Sequence, residues 1–335
     1  MLNNRFLHQL LLQFPAEFAH SCAIWGLRHC PDFLIKTADF NDRKPITVMG
    51  LNFPHQLGMA AGFDKNAQCP NPLLSLGFSH VEVGTVTPRA QTGNPKPRLF
   101  RLHKEKALIN RMGFNNKGVN YLVSQLKNIQ PKGIIGINIG KNKTTALDLA
   151  HEDYQYCQTK CHALADYISI NISSPNTPNL RQLFDSQYLG QLLKHIADTQ
   201  NKLDLINQKK VPLVLKLSPD LSLLDLERII EQAIDNGIQG IIASNTTIDR
   251  SMIQPSSLYY HELGGLSGCP LRKKALQLVK KTKQIAKNHL SIIACGGIDS
   301  KQSADECIEA GADLLQIYTA FIYQGPSVIE KIIGP

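Results

Sequence analysis

The chain is poor in aromatic residues. Only 7% of its 335 residues are Phe, Tyr or Trp, with a single Trp, and its most basic stretch lacks the interleaved aromatics on which a single-strand binder stacks bases. No apolar run approaches the roughly 20 residues a membrane-spanning helix needs. The eight cysteines include no CxxC pair and no partnered histidine cluster. Cys157 and Cys161 fall on one helix face by spacing, but two ligands do not make a structural zinc site, so no metal is expected. The N-terminal apolar stretch is broken by His8, Gln9 and Gln13 and precedes no small-residue cleavage site. It does not read as a secretory signal, and free thiols in a reducing compartment are expected. Two catalytic signatures are also missing: no glycine-rich dinucleotide fingerprint comes after the first candidate strand, and there is no G-x-S-x-G elbow.

What is present is a composition suited to a large buried core, 43% hydrophobic and 19% charged, which excludes intrinsic disorder and coiled coil. The net charge of +9 is concentrated. Val86 to Lys143 holds twelve Lys and Arg against one acid, Glu105, leaving the rest of the chain close to neutral. Such a patch points to a nucleic acid, an anionic membrane surface or anionic small molecules; without aromatic interleaving, nucleic acid is not expected.

Residues 1–45 differ in pattern from the rest of the chain. Phe6, Leu7, Leu10, Leu11 and Phe14 recur at helical spacing, Pro15 suits the first turn of a second helix, and Phe18, Cys22 and Trp25 then share one side, with Ala19 and Ala23 beside them. Pattern alone leaves two readings open: a hairpin packed on the main body, or one presenting an apolar face to lipid or a lipid-soluble ligand. From residue 46 onward, short apolar runs alternate with helical patterns. Strands are expected at Leu57–Ala61, His80–Gly84, Ile134–Asn138, Tyr167–Asn171, Leu213–Leu217, Gly240–Ser244, Ile292–Cys295 and Leu314–Tyr318. Eight strands, each succeeded by a helix, over 46–335 predict an α/β fold, a closed (β/α)8 barrel of the TIM type, with the helical hairpin as an N-terminal extension.

In such a barrel the loops after the strands build the functional face. Those ends carry Ala61-Gly62-Phe63-Asp64-Lys65, Thr85, Asn138, Asn171 to Asn176, Lys216, Ser244-Asn245-Thr246, Gly296-Gly297 and Tyr318-Thr319. No histidine and no paired carboxylates stand there. The reactive candidates are Lys65, Lys216, Ser173 and Ser174. The glycines at 264–268 and 296–297, with Thr319, suit a phosphate held by backbone N–H groups. A lysine in a barrel mouth fits either a Schiff base or stabilisation of negative charge on a cofactor.

The segments AAGFDKN (60–66), EVGTVTPRAQTGNPKPRLFRL (82–102), INRMGFNN (109–116), GINIGKNK (136–143), NISSPNTPNLR (171–181), SNTTIDR (244–250), GGLSG (264–268), GGID (296–299) and QIYTAFIYQGP (316–326) closely resemble dihydroorotate dehydrogenases, in order and over nearly the whole chain. Ser174, where soluble first-class enzymes carry cysteine, and the N-terminal extension resemble the second, quinone-linked class. The resemblance implies oxidation of dihydroorotate to orotate in pyrimidine biosynthesis, with FMN as hydride acceptor and a membrane quinone as final oxidant. It implies Ser174 as the base at C5, with Thr177 helping to carry the proton. Lys65, Asn110, Arg111, Met112, Gly113, Phe114, Asn171, Asn176, Asn245 and Thr246 would surround the substrate. Ala61, Gly62, Phe63, Asp64, Lys65, Thr85, Asn138, Asn171, Lys216, Ser244, Gly268, Gly297, Tyr318 and Thr319 would hold FMN, and His20, Arg101 and Tyr318 would lie on the quinone side. Arg101, Arg111 and Lys141 would bring part of the basic patch near the flavin.

It further implies a hairpin docked on the cytoplasmic side of the cell membrane, so that deleting residues 1–40 impairs quinone turnover far more than orotate binding. Three rivals stay open on the residues alone: a soluble FMN barrel using fumarate or NAD, a Schiff-base aldolase on Lys216, and a non-enzymatic membrane-binding barrel.

Overall fold

A computed structural model of the chain describes residues 5–31, 35, 44–177, 180–184 and 186–334. Eight parallel strands close into a barrel in simple chain order: β1 (Leu57–Met59), β2 (His80–Val86), β3 (Ile134–Ile139), β4 (Tyr167–Asn171), β5 (Leu213–Lys216), β6 (Gly240–Ala243), β7 (Ser291–Cys295) and β8 (Leu314–Ile317). Leu315 opposite Leu57 completes the ring. Nearly every strand residue is buried, because a parallel sheet is covered on both faces and its strands become continuous apolar runs. Those runs made the strands readable, and each expected strand lies within two residues of its observed limits.

A helix comes after each strand: Pro70–Ser75, Val119–Lys127, Ala150–Cys161, Ser186–Asn207, Leu223–Asp235, Arg272–Ala286, Lys301–Glu309 and, after β8, the pair Thr319–Gln324 and Ser327–Ile333. The caps are local chemistry. Ser222 accepts the Asp225 amide to start the helix at Leu223, and Ser300 with Ser303 forms a capping box before Lys301.

Three elements were not expected. Ile46–Val48 and Leu51–Phe53 form an antiparallel hairpin whose turn places Met49 and Gly50 both at positive φ, the two-residue geometry that suits strand twist. Its Phe53 is wholly buried and packs with Tyr167, Val214, Ile242, Ile293 and Leu314 inside the barrel. The second is a three-stranded antiparallel sheet, with Ala107–Asn110 central between Leu99–Leu102 and Gly265–Gly268. It occupies the stretch between β2 and β3 and takes in the glycines at 265 and 268 that come after β6. The sequence hides it because Gly265–Gly268 contains one large apolar residue and its partner strand is more than 150 residues away. The third is the helix Thr319–Gln324, which begins where a loop residue was expected.

The N-terminal helices span Arg5–Leu11 and Ala16–His29, with Pro15 at the N-cap, one position earlier than expected. The second packs on strand Leu99–Leu102 and helix Pro70–Ser75. Arg101 fastens the turn between them, donating to the carbonyls of Leu12 (2.9 Å) and Phe14 (2.7 Å). Ala19 faces inward, while Phe14, Phe18 and Trp25 point outward, 43%, 55% and 67% exposed. No described helix is long and apolar enough to cross a membrane. The expected boundary at residue 45 adjoins residues 36–43, which lie outside the described residues.

Candidate active site

The carboxyl ends of the barrel strands and the three-stranded sheet enclose a cavity. It is lined by Ala60, Ala61, Gly62 and Lys65 after β1, Lys216 on β5, Ser244, Asn245 and Thr246 after β6, Gly296 and Gly297 after β7, and Gln316 to Thr319 at β8. The sheet contributes Leu99, Leu108, Asn110, Ser267 and Gly268, with Met112 beside them. Barrel geometry thus brings strand ends distant in sequence together with a sheet.

The remaining amide-rich residues are outside the cavity lining and are joined to it at Asn245 and Gln316 through a chain of buried hydrogen bonds. Glu82, wholly buried on β2, accepts from Asn138 Nδ2 (2.7 Å), Tyr167 Oη (3.0 Å) and Gln316 Nε2 (2.9 Å). Because the carboxylate accepts these three bonds, it turns the Asn138 amide so that its Oδ1 receives Thr85 Oγ1 (2.5 Å) and Asn171 Nδ2 (3.2 Å). Asn171 Oδ1 in turn accepts Ser173 Oγ (3.1 Å), and Asn245 Nδ2 donates to Ser173 Oγ (2.9 Å). Strands β2, β3, β4 and β8 are tied together from barrel centre to rim. Sequence inspection missed Glu82; the available signal was a lone carboxylate inside an otherwise apolar strand.

Lys216 is 5% exposed, lines the cavity, and has no hydrogen-bond or ion-pair partner among the described residues. A buried ammonium without a protein partner is costly, so it marks the place where an anionic group belongs. In the same cavity lining, Gly297 has φ +73°, and a Cβ there would lie 2.5 Å from the Arg272 backbone. The chain at this point is as close to its neighbour as a glycine permits. Ser267 Oγ and Thr319 Oγ1 meet at 2.8 Å nearby. The lysine, the glycines and the hydroxyls are residue types that fit a phosphate-bearing flavin.

Lys65 donates to Asn115 Oδ1 (2.9 Å); burial, reinforced by the charge of Arg98 and partly opposed by Glu17, lowers its pKa to about 8. Ser174 is buried, with its Oγ accepting the Asn176 amide (3.2 Å), and Asn176 Nδ2 donates to Asn110 Oδ1 (3.3 Å). Thr177 Oγ1 is buried with no hydrogen-bond partner among the described residues; the adjoining residues 178 and 179 lie outside that set. Gly113 lies against the Asn94 side chain, and Phe114 shares the space beside Gly140 with Thr85.

Three of the expected residues have polar groups engaged by the protein itself. The Arg111 guanidinium is spent on protein: it pairs with Glu262 (2.5 Å), donates to the Leu263 and Pro97 carbonyls, and lies over the Phe100 ring. Lys141 is buried with its ammonium on the carbonyls of Asn142 and Thr145. Asp64 accepts the backbone amides of Asn66, Gln68 and Cys69, shaping the turn that presents Lys65.

On the hairpin side, the His20 ring meets Phe63 edge-on at 5.2 Å, and Phe63 meets Tyr318 at 6.2 Å. This aromatic series runs from helix Ala16–His29 to the cavity wall. Burial, reinforced by Lys65, lowers the His20 pKa to about 3, and its Nδ1 has no partner among the described residues. Burial raises Tyr318 to about 12. Both side chains are neutral over the ordinary pH range and suit an apolar ligand. Among the described residues no group of three His, Cys, Asp or Glu is placed to hold a metal.

Comparison with known proteins converges on one family. The family model for dihydroorotate dehydrogenase matches residues 45–334. A protein of Legionella pneumophila named dihydroorotate dehydrogenase (quinone) is 47% identical, over 98% of this chain and 97% of its own. One of the same name from Coxiella burnetii is 45% identical, over 98% and 95%. The crystal structure of DHODH from Eimeria tenella in complex with ferulenol superposes with a TM-score of 0.85 at 35% identity, covering 94% of this chain and 89% of that one.

Proposed function

The chain belongs to the dihydroorotate dehydrogenase family, and we propose that it works through FMN bound at the barrel mouth, with separate approaches for substrate and quinone. It is a quinone-linked, flavin-dependent oxidoreductase that oxidises dihydroorotate in pyrimidine biosynthesis. The observation that carries the FMN assignment is Lys216, a buried ammonium with no partner among the described residues, lining the same cavity as Gly268, Gly296 and Gly297.

When bound, FMN supplies the acceptor for the hydride leaving C6 of dihydroorotate and passes the electrons to quinone. The protein does the rest. Lys216 balances negative charge at the flavin ring, and backbone amides at Gly268, Gly297, Tyr318 and Thr319 hold the phosphate. Asn110, Asn171, Asn176, Asn245 and Thr246 match the polar edges of the pyrimidine, and Lys65 answers its carboxylate. With Arg111 already engaged by Glu262, Lys65 is the cation left for that role. Ser174 Oγ takes the C5 proton. An alcohol is a weak base, so it needs a fixed substrate pose and an exit for the proton. The Thr177 hydroxyl, three residues on and without a hydrogen-bond partner among the described residues, suits that exit.

Quinone approaches along the hairpin, past His20, Phe63 and Tyr318. Supporting this reading are the exposed Phe14, Phe18 and Trp25, apolar side chains that suit the membrane surface, and the exposed Lys104 and Lys106, which suit anionic lipid. The two parts of the chain divide the work: residues 1–45 give access to quinone, and 46–335 carry out catalysis.

Anaerobic titration of the yellow protein with dihydroorotate, then parallel reoxidation with quinone, fumarate and NAD, tests the whole scheme. Bleaching by dihydroorotate with fast return only under quinone is expected. Fast return under fumarate or NAD would overturn the quinone-side reading, and a colourless protein would overturn the flavin one.

A further inference from the structure

A close ion pair joins the hairpin to the residue that leads into strand Leu99–Leu102. Arg98, 6% exposed, immediately precedes strand Leu99–Leu102 and uses its whole guanidinium. Nε donates to both carboxylate oxygens of Glu17 (3.2 Å each) and Nη2 to Oε1 (2.6 Å). Nη1 donates to the carbonyls of Thr92 (2.5 Å) and Asn94 (2.9 Å). Glu17 lies in the first turn of helix Ala16–His29, so the hairpin supplies the only carboxylate paired with this buried cation among the described residues. Burial alone would raise the Glu17 carboxyl, but the hydrogen bonds and charge of Arg98, with Lys96 and Lys65, hold it below its usual range.

The turn that Arg98 grips is itself pressed against the substrate face. Gly93 has φ +78°, and a Cβ there would lie 2.3 Å from the Met112 carbonyl oxygen and 2.7 Å from Arg98 Nη1. Asn94 donates its backbone amide to Met112 O (3.1 Å) and its side-chain amide to the carbonyls of Arg111 (3.0 Å) and Asn176 (3.1 Å). The Arg111 amide donates back to Arg98 O (2.9 Å). Glu17, Arg98 and the turn 92–94 therefore form an unbroken bonded path from the hairpin to residues 110–112 and to Asn176, two positions after Ser174.

We propose that Glu17 is a positioning residue for dihydroorotate, so that the hairpin completes the substrate site through Arg98 as well as admitting quinone. The inference rests on residues 110–112 and 174–176 being the substrate face. A buried arginine whose one carboxylate is removed either draws in water or turns away, and in both cases the turn 92–94 loses its clamp. Lys65 feels Glu17 and Arg98 with opposite sign, so loss of Glu17 also leaves the repulsion from Arg98 unopposed.

The test uses full-length holoenzyme with Glu17→Gln and Glu17→Asp, measuring orotate binding by calorimetry across pH and steady-state KM and kcat for both substrates. Wild-type binding of orotate is the control; its absence would sink the family reading of the site, independently of Glu17. In Glu17→Gln the orotate dissociation constant should rise at least tenfold, with its pH break displaced to lower pH. FMN content should hold, quinone KM should change less than orotate affinity, and Glu17→Asp should recover part of the loss. Orotate affinity within twofold of wild type, or a defect confined to quinone, overturns the proposal. If Glu17→Gln does not fold, the double variant Glu17→Gln/Arg98→Met removes both charges. It should fold and still bind orotate at least tenfold more weakly, and normal orotate binding by it overturns the proposal equally.

Discussion

At the scale of single residues, the site depends on groups held in unusual electrical states. Lys65 titrates near 8 because it is buried beside Arg98. Its folded-state pKa lies below the unfolded value, so between pH 8 and about 10.5 the unfolded chain binds more protons, and the cost of burying the charge is relieved as pH rises. Binding has the opposite trend. The substrate carboxylate needs the charged form, so orotate affinity should be flat below pH 8 and fall about tenfold per pH unit above it. Lys65→Met should bind weakly with no such break, and an unchanged break in that variant would remove Lys65 from the role. Ser174→Ala should keep FMN and orotate but slow flavin reduction by dihydroorotate by about 10²-fold or more, the usual worth of a positioned base. Near-normal stopped-flow reduction would exclude Ser174. Gly297→Val places a side chain where the Arg272 backbone already stands and forces a β-branched residue to positive φ. Purified protein largely free of FMN is the expected outcome, read from its visible spectrum.

Elements explain why the hairpin has two faces. Ala19 and His20 turn inward toward Phe63, whereas Phe14, before the helix, and Phe18 and Trp25, on it, are exposed; isolated exposed apolar side chains are ordinary, and it is their closeness that the proposed membrane contact rests on. Phe18→Asp with Trp25→Asp should abolish flotation with anionic vesicles while leaving orotate binding intact, and unchanged flotation would remove these side chains from membrane contact. Deleting residues 1–40 is a less clean experiment than the residue pattern alone suggests. It removes Glu17 together with the helix that carries it, so Arg98 loses the one carboxylate paired with it among the described residues. Orotate binding should therefore suffer along with quinone turnover, and an undamaged substrate side in the deletion would show that the 92–94 turn stands without its clamp.

For the whole molecule, the barrel and its order were written in local pattern. Short apolar runs alternating with amphipathic helices are periodicities that neighbours in sequence decide, and burial on both faces of a parallel sheet makes them unmistakable. The strand-end residues were legible for the same reason, since a barrel sends every strand end to one face. Other features depended on long-range pairing. The three-stranded sheet joins Ala107–Asn110 to glycines at 265–268, a contact that closes only once the barrel has brought the two loops together. Arg111, Lys141 and Arg98 are three cations of one basic stretch, indistinguishable as letters. Folding sends the first to Glu262, the second into backbone carbonyls and the third to Glu17. Sequence alone determined the class of fold, the face that carries chemistry and the family. Tertiary structure alone decided which charges are spent on architecture and which remain for substrate, because a charge's partner is set by what burial brings within reach of it.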